Sequence, residues 1–311
     1  MKEILASEFG REGERNRLLP RVSVIIPVFN REAVVSEAIR SVQAQTYPVF
    51  EIIVVDDCSS DHTVQVVEGM ALQNLVMVRL AMNSGGGAAR NAGVERSVGE
   101  LVAFLDSDDL WAPNKLQAQV ERWIELGEPD NFFSYTAVRI TSANLPATKN
   151  PEFGFSYEDS LSKYLFCEKN SIQTSSYMIS KKLAMENPFS TARKHQDWDL
   201  IFRLYEKKVP FVFISEPLTE WRQGDSGNRV SANPNYRMSL QWHEKVPAEI
   251  DKENSCRLCF YGCVVFPTIF SLGNIKSVLK FMIFFVMREK TKGVVYFIRH
   301  CLMYSFRRLK G

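Results

Sequence analysis

A chain of 311 residues that is 45% apolar and 24% charged can bury a large core, which excludes the disordered and fibrous classes. The net charge of +2 is unevenly spread: residues 276–311 hold nine Lys or Arg against the single acid Glu289, so the rest of the chain is acidic overall. The opening Met1-Lys2-Glu3-Ile4-Leu5 lacks the apolar core of a secretory signal. The cysteines, with Cys256-x-x-Cys259 and Cys263 but no second pair at zinc spacing, read as reduced, packed thiols of a cytosolic protein.

Residues 1–20 are polar and read as an arm. Val22-Ser23-Val24-Ile25-Ile26-Pro27-Val28 is a β-branched apolar run of the kind that fills a buried parallel strand. Val34, Val35, Ala38, Ile39 and Val42 follow at helical spacing. Residues 51–55 predict a second strand, ended by the turn and cap formers Asp56-Asp57-Cys58-Ser59-Ser60-Asp61. A helix to about Leu72, a strand over 75–80, a glycine-rich loop and a helix from about Ala88 lead to a fourth strand, 101–105, which runs into Asp106. Strands alternating with helices predict a parallel sheet with right-handed crossovers, whose ligands bind beyond the carboxyl ends of the strands. Asn30, Asp56-Asp57, residues 83–91 and residues 106–109 all stand at such ends. After about Asp130 the pattern is irregular, with Phe132, Phe133 and Tyr135 near the run Thr174-Ser175-Ser176. The expected division is a 1–20 arm, a 21–130 nucleotide-binding half, a 131–232 acceptor-facing half and a mostly helical 233–311.

Asp106-Ser107-Asp108-Asp109 sets three carboxylates in four positions directly after an apolar strand. Unscreened, they repel one another. A hard divalent ion such as Mn²⁺ or Mg²⁺ takes oxygen ligands and shares them with substrate phosphates. One Asp would hold the ion and another a sugar or ribose hydroxyl. The alternative is a helix cap leading into Leu110-Trp111-Ala112-Pro113, with Pro113 in the first helical turn. At Asp56-Asp57 one carboxylate can cap while the other accepts from a nucleobase N–H or a ribose hydroxyl. Residues 83–93 could form a phosphate loop at a helix N-terminus. Gly85-x-Gly87 is also a partial dinucleotide fingerprint, but Arg90 stands at the third glycine position and strand one ends in Pro27-Val28-Phe29-Asn30 without a glycine.

In order and at these spacings, the segments 24–30, 53–59, 83–93 and 104–109 resemble the inverting glycosyltransferases of family 2. The resemblance covers roughly residues 21–125 and implies a GT-A fold: α/β, a Rossmann-like, mostly parallel sheet flanked by helices, here with a C-terminal helical extension. It implies that Pro27, Phe29 and Asp57, with Asn30 and Asn83 beside them, receive the nucleotide-sugar. It further implies that Asp106 and Asp108 serve the ribose and the metal, with Asp109 a substitute ligand, and that Arg90 stands near the nucleotide. His195-Gln196-Asp197-Trp198-Asp199-Leu200 resembles the family's acidic segment, with Asp197 at the position of the catalytic base and Gln196 where a Glu is usual. Trp221-Arg222-Gln223-Gly224 resembles a lid segment in which Gly224 replaces a metal-binding histidine and Arg222 would meet the diphosphate.

Two positions apart on a helix is about 200° of rotation, so Asp197 and Asp199 cannot face one site. Asp197 is in register with Ile201 and Leu204, whereas Asp199 pairs with Arg203 four residues on. The expected reaction is transfer of a sugar from a UDP-sugar to a hydroxyl of a saccharide acceptor, lipid-linked, in surface polysaccharide synthesis. Two rivals are a catalytically silent nucleotide-sugar-binding module and a nucleotidyltransferase, and the latter usually needs a basic glycine-rich loop after strand one. Near the C-terminus Val294, Phe297, Ile298, Cys301 and Leu302 form one apolar stripe. Lys292, Arg299, Arg307, Arg308 and Lys310 supply a cationic side. The run 281–287 is too short to span a bilayer, and Pro267 and Lys280 interrupt longer candidates. An enzyme lying on the cytoplasmic face of an anionic membrane is expected, with no nucleic-acid partner, since the basic residues sit in an apolar tail.

Overall fold

The computed structural model describes residues 19–142, 145–223, 236–245 and 260–265. Strand β1 (Val22–Val28) pairs in parallel with β2 (Glu51–Asp56) and β4 (Leu101–Phe104), and β2 pairs in parallel with β3 (Leu75–Arg79). The apolar runs are continuous because both sheet faces are covered. Val24, Ile26 and Val54 pack under Val35 and Ile39 of helix α1 (Val35–Gln43) and under Leu116 and Val120 of α4 (Lys115–Glu125). Ile25, Ile53, Val102 and Phe104 point the other way, against Ala89 and Val94 of α3 (Gly86–Arg96). The short helix α2 (Thr63–Glu68) lies between β2 and β3.

The part expected to be irregular carries four strands. β6 (Phe133–Ser142) pairs antiparallel with β7 (Leu145–Asn150) and with β8 (Met178–Ser180), and β8 pairs antiparallel with β4. β9 (Phe211–Gln223) runs parallel to β6, and β5 (Leu110–Trp111) pairs antiparallel with β9. One sheet results, in the order β3-β2-β1-β4-β8-β6-β9-β5, parallel over its first four strands and mixed beyond. Helix α5 (Lys181–Glu186) follows β8. Helix α6 (Gln196–Glu206) buries Leu200, Ile201 and Leu204, and α7 (Tyr236–Lys245) sets Trp242 5.6 Å from Trp198 of α6.

No helix among the described residues is long and apolar enough to cross a membrane. Residues 1–18 of the arm, the lid segment from Gly224, the Cys256-x-x-Cys259 pair and the basic stripe at 292–310 lie outside the described residues.

Candidate active site

The loop after β1 and the loop after β2 are tied together. Asn30, in a left-handed conformation at φ 53°, donates its backbone N–H to Ser59 Oγ at 2.9 Å, and its Oδ1 accepts the Ser60 N–H at 2.9 Å. Phe29 is 41% exposed beside the half-buried Pro27. The paired aspartates divide their work. Asp56 accepts the Ser59 N–H at 3.2 Å, a turn-closing bond, and neither residue caps a helix, because α2 begins only at Thr63. Asp57 accepts the backbone N–H groups of Ser84 at 2.6 Å and Gly85 at 2.8 Å, while its carbonyl accepts from Asn83 Nδ2 at 3.2 Å. The Asp57 carboxylate therefore pins the glycine loop.

Gly87 of that loop is packed against a neighbouring segment. A Cβ on Gly87 would lie 2.1 Å from the Ser190 carbonyl oxygen, and the segment between α5 and α6 crosses the first turn of α3 at this point. Asn91 and Phe189 exchange two hydrogen bonds, at 2.9 and 2.8 Å, and Arg193 donates to the side chain and the carbonyl of Asn83. Asn83, expected at the donor, thus already joins three segments.

In the acidic loop, Asp106 and Asp108 are partly exposed and Asp109 is buried. The three do not cap a helix: β5 intervenes and α4 starts at Lys115, so Pro113 precedes the helix instead of opening it. Arg90, 8% exposed, donates from Nη2 to Asp106 Oδ1 at 2.5 Å and from Nη1 to Gln196 Oε1 at 3.1 Å, with Phe189 5.3 Å beneath its guanidinium. Asp109 turns inward. Its Oδ2 accepts from Ser175 Oγ at 2.7 Å and Gln173 Nε2 at 2.8 Å, and its Oδ1 from the Arg222 backbone N–H at 3.2 Å. Burial first, then the Asp106 and Asp108 charges, push its carboxyl up to about 8. A buried carboxyl with these partners braces the loop. Gln173 and Ser175 carried no signal in the sequence beyond a short polar run.

Asp197 sits in the first turn of α6, and burial is the main cause that raises its carboxyl pKa. Arg90 acts to lower it and Asp106 to raise it, so the three share one electrostatic neighbourhood. Asp199 instead pairs with Arg203 at 3.0 Å, as its spacing predicts. Just before the helix His195, at φ 62°, stacks 4.5 Å from Trp198 and shares a hydrogen bond with Ser239 Oγ of α7 at 2.8 Å. Burial pushes its imidazole down to about 3, so it is neutral at physiological pH. Arg222, expected at the diphosphate, meets two carboxylates, Glu37 at 2.5 Å and Glu220 at 3.5 Å.

The carboxylates of Asp106 and Asp108 are of the chemical kind that a divalent ion takes. Asp106 and Asp108 offer hard oxygen atoms at the carboxyl edge of the sheet, and Arg90 engages only Oδ1 of Asp106. Among the described residues no three His, Cys, Asp or Glu side chains gather to enclose an ion. An ion here would share its shell with substrate oxygens, as Mg²⁺-type sites commonly do.

Residues 23–185 match the family described as Glycosyl transferase family 2. The chain is 31% identical over 216 residues to the putative teichuronic acid biosynthesis glycosyltransferase TuaG of Bacillus subtilis (strain 168), covering 69% of this chain and 82% of that protein. It is 29% identical over 242 residues to the amylovoran biosynthesis glycosyltransferase AmsB of Erwinia amylovora, covering 75% and 79%. In structure it resembles S. aureus TarS 1–349 in complex with UDP-GlcNAc, with a TM-score of 0.59 at 21% identity over 78% of this chain and 72% of that one. This likeness shows the GT-A fold.

Proposed function

The chain belongs to glycosyltransferase family 2, and we propose that it moves a sugar from a UDP-sugar to a saccharide hydroxyl in cell-surface polysaccharide synthesis, inverting the anomeric centre. The observation that carries this reading is the bridge through Arg90, which joins Asp106 at the carboxyl end of β4 to Gln196, the neighbour of Asp197 in the first turn of α6. The UDP-sugar class is supported by the ligand of TarS, and the polymer class by the teichuronic acid and amylovoran named for TuaG and AmsB.

Pro27 and Phe29 offer the nucleobase an apolar surface, and Asn30 and Asp57 lie beside it as hydrogen-bonding groups. Asp106, oriented by Arg90, serves the ribose and donor. Asp108, with the second oxygen of Asp106, would hold Mn²⁺ or Mg²⁺, which when bound counters the charge growing on the leaving diphosphate. Asp197 accepts the proton of the acceptor hydroxyl. Its burial raises its basicity above that of an ordinary carboxylate, which suits a general base. The acceptor oxygen forms its bond to the anomeric carbon from the face opposite the departing diphosphate, so one displacement inverts the centre. The acceptor is a growing saccharide on a lipid carrier, and the basic apolar stretch 276–311 attaches the enzyme to the anionic membrane face that presents it.

Two experiments test this. A panel of nucleotide-sugars is screened with Mn²⁺ for raised thermal stability and for nucleotide release, with Asp108→Asn alongside. The expected result is stabilisation and turnover with a UDP-sugar, both lost in the variant; turnover of the variant at wild-type rate in saturating Mn²⁺ would remove the metal assignment. Flotation with anionic and neutral liposomes addresses the membrane, where equal recovery with both lipids rejects charge-based attachment.

A further inference from the structure

We propose that Gln196 is a positioning residue. Its side-chain carbonyl holds Arg90, Arg90 holds Asp106, and this bridge fixes the first turn of α6, with Asp197, against the donor-side carboxylates. The inference rests on the reading of Asp197 as the base.

Chemistry orients the Gln196 amide without ambiguity. An arginine can only donate and a main-chain carbonyl can only accept. Oε1 therefore faces Arg90 Nη1 at 3.1 Å, while Nε2 donates to the Ala192 carbonyl at 2.5 Å. A position that must accept on one side and donate on the other needs an amide. A carboxylate would keep the Arg90 bond but set a second oxygen against the Ala192 carbonyl, which accounts for Gln in this chain where the resembling segment usually has Glu. Arg90 is itself fixed, with its other nitrogen on Asp106 and Phe189 below its plane. A planar, five-donor guanidinium transmits position between two partners better than a flexible ammonium.

The glycines leave room for this bridge. A Cβ on Gly86 would lie 3.2 Å from Arg90 Nη1 and 3.5 Å from Gln196 Oε1; one on Gly87 would lie 3.1 Å from Gln196 Cδ. The close approach of α3 to residues 190–196 thus joins two segments that are 106 residues apart in the chain.

The test compares Gln196→Leu, Gln196→Glu and Arg90→Lys by steady-state kinetics and thermal unfolding, with Asp197→Asn as reference. Gln196→Leu removes both bonds at nearly constant volume. Its kcat should fall about 10- to 100-fold, the scale of an ångström-level misplacement, with donor KM within about threefold because the nucleobase contacts are elsewhere. Gln196→Glu keeps the acceptor for Arg90 and should recover about tenfold over the leucine variant. Arg90→Lys should lose as much as Gln196→Leu, and the double variant no more than either alone. Wild-type kcat in Gln196→Leu, equal losses in the Glu and Leu variants, or additive losses in the double variant overturn the proposal. If Gln196→Leu does not fold, Arg90→Lys and Gln196→Glu decide: the first must lose about 10- to 100-fold in kcat and the second about tenfold less. Turnover surviving in Asp197→Asn would instead remove the base assignment, a separate failure.

Discussion

Ser175 Oγ donates to Asp109 at 2.7 Å and accepts the Asp106 backbone N–H at 3.0 Å, so one hydroxyl braces both ends of the acidic loop. The Ser175 carbonyl accepts from Trp111 Nε1 at 2.6 Å, which fixes the turn that carries the hydroxyl. Ser175→Ala would strip a fully buried donor and acceptor from Asp109 and the Asp106 N–H. A loss of about 1–3 kcal/mol is expected, read as a lower denaturation midpoint at constant m-value. An unchanged midpoint would show that the loop does not lean on Ser175.

Asp109 gives the stability a particular pH dependence in metal-free solution. Its carboxyl is pushed up to about 8, so the folded chain binds this proton more tightly than the unfolded chain does. Its contribution is fully present below the ordinary carboxylate pKa of about 3.9 and is lost as pH rises to about 8. Asp109→Asn keeps an acceptor for Ser175 and Gln173 and cannot ionise, though it turns a donor toward the Arg222 N–H. Melting temperatures in EDTA should therefore fall more steeply with pH in the wild type than in the variant between pH 5 and 8. Parallel curves would mean that Asp109 is ionised throughout.

The first half of the fold was legible because its physics is local. β1, β2 and β4 are continuous apolar runs between two helical layers, and each ends in the polar cluster that faces the site. The second half was not. β6 is buried from Phe133 to Val138, then turns polar, so neither alternation nor a uniform run marks it. β9 contains Pro217, and the β6–β9 register shifts on both sides of Ala137, the residue opposite that proline. A strand that tolerates Pro at a bulge gives no two-residue period to read. The carboxylates were found as a cluster, but which of them faces inward depends on Gln173, Ser175 and the Arg222 backbone, all distant in sequence.

Asp197 and Asp199 should separate cleanly in kinetics. Asp197 shares the neighbourhood of Arg90 and Asp106, whereas Asp199 is held by Arg203 at 3.0 Å. Asp197→Ala should lose at least about 10²-fold in kcat, the usual range for general-base removal, with donor affinity retained. Asp199→Ala should cost no more than about 0.5 kcal/mol of stability, as for a helical ion pair. A larger rate loss at Asp199, with donor binding equal in both, reverses the assignment.

Cys58 is exposed and holds φ 65°, a left-handed conformation that costs a residue with a Cβ about 1–2 kcal/mol. Glycine removes that cost but loses more backbone entropy on folding, by about 0.5–1 kcal/mol. Cys58→Gly should accordingly stabilise the chain by up to about 1 kcal/mol. Chemical denaturation checks it, and a destabilised variant would show that the thiol makes a contact worth more than the strain.

Gly87 and Gly127 contrast space with conformation. A Cβ on Gly87 meets the Ser190 carbonyl oxygen at 2.1 Å, a backbone atom that moves only if the whole 187–196 segment moves. A Cβ on Gly127, where φ is 79°, meets nothing within 4 Å, so alanine there suffers only the left-handed backbone strain. Gly127→Ala should cost about 1 kcal/mol and leave kcat unchanged. Gly87→Ala should cost about 1–3 kcal/mol or more, as overpacking does. It should also lower kcat, because the displaced segment carries Gln196 and leads into the turn that holds Asp197. Denaturation midpoints and kcat measured on both variants test the pair together. If Gly87→Ala were as active as Gly127→Ala at comparable stability, the packing of this segment on α3 would play no part in aligning the site.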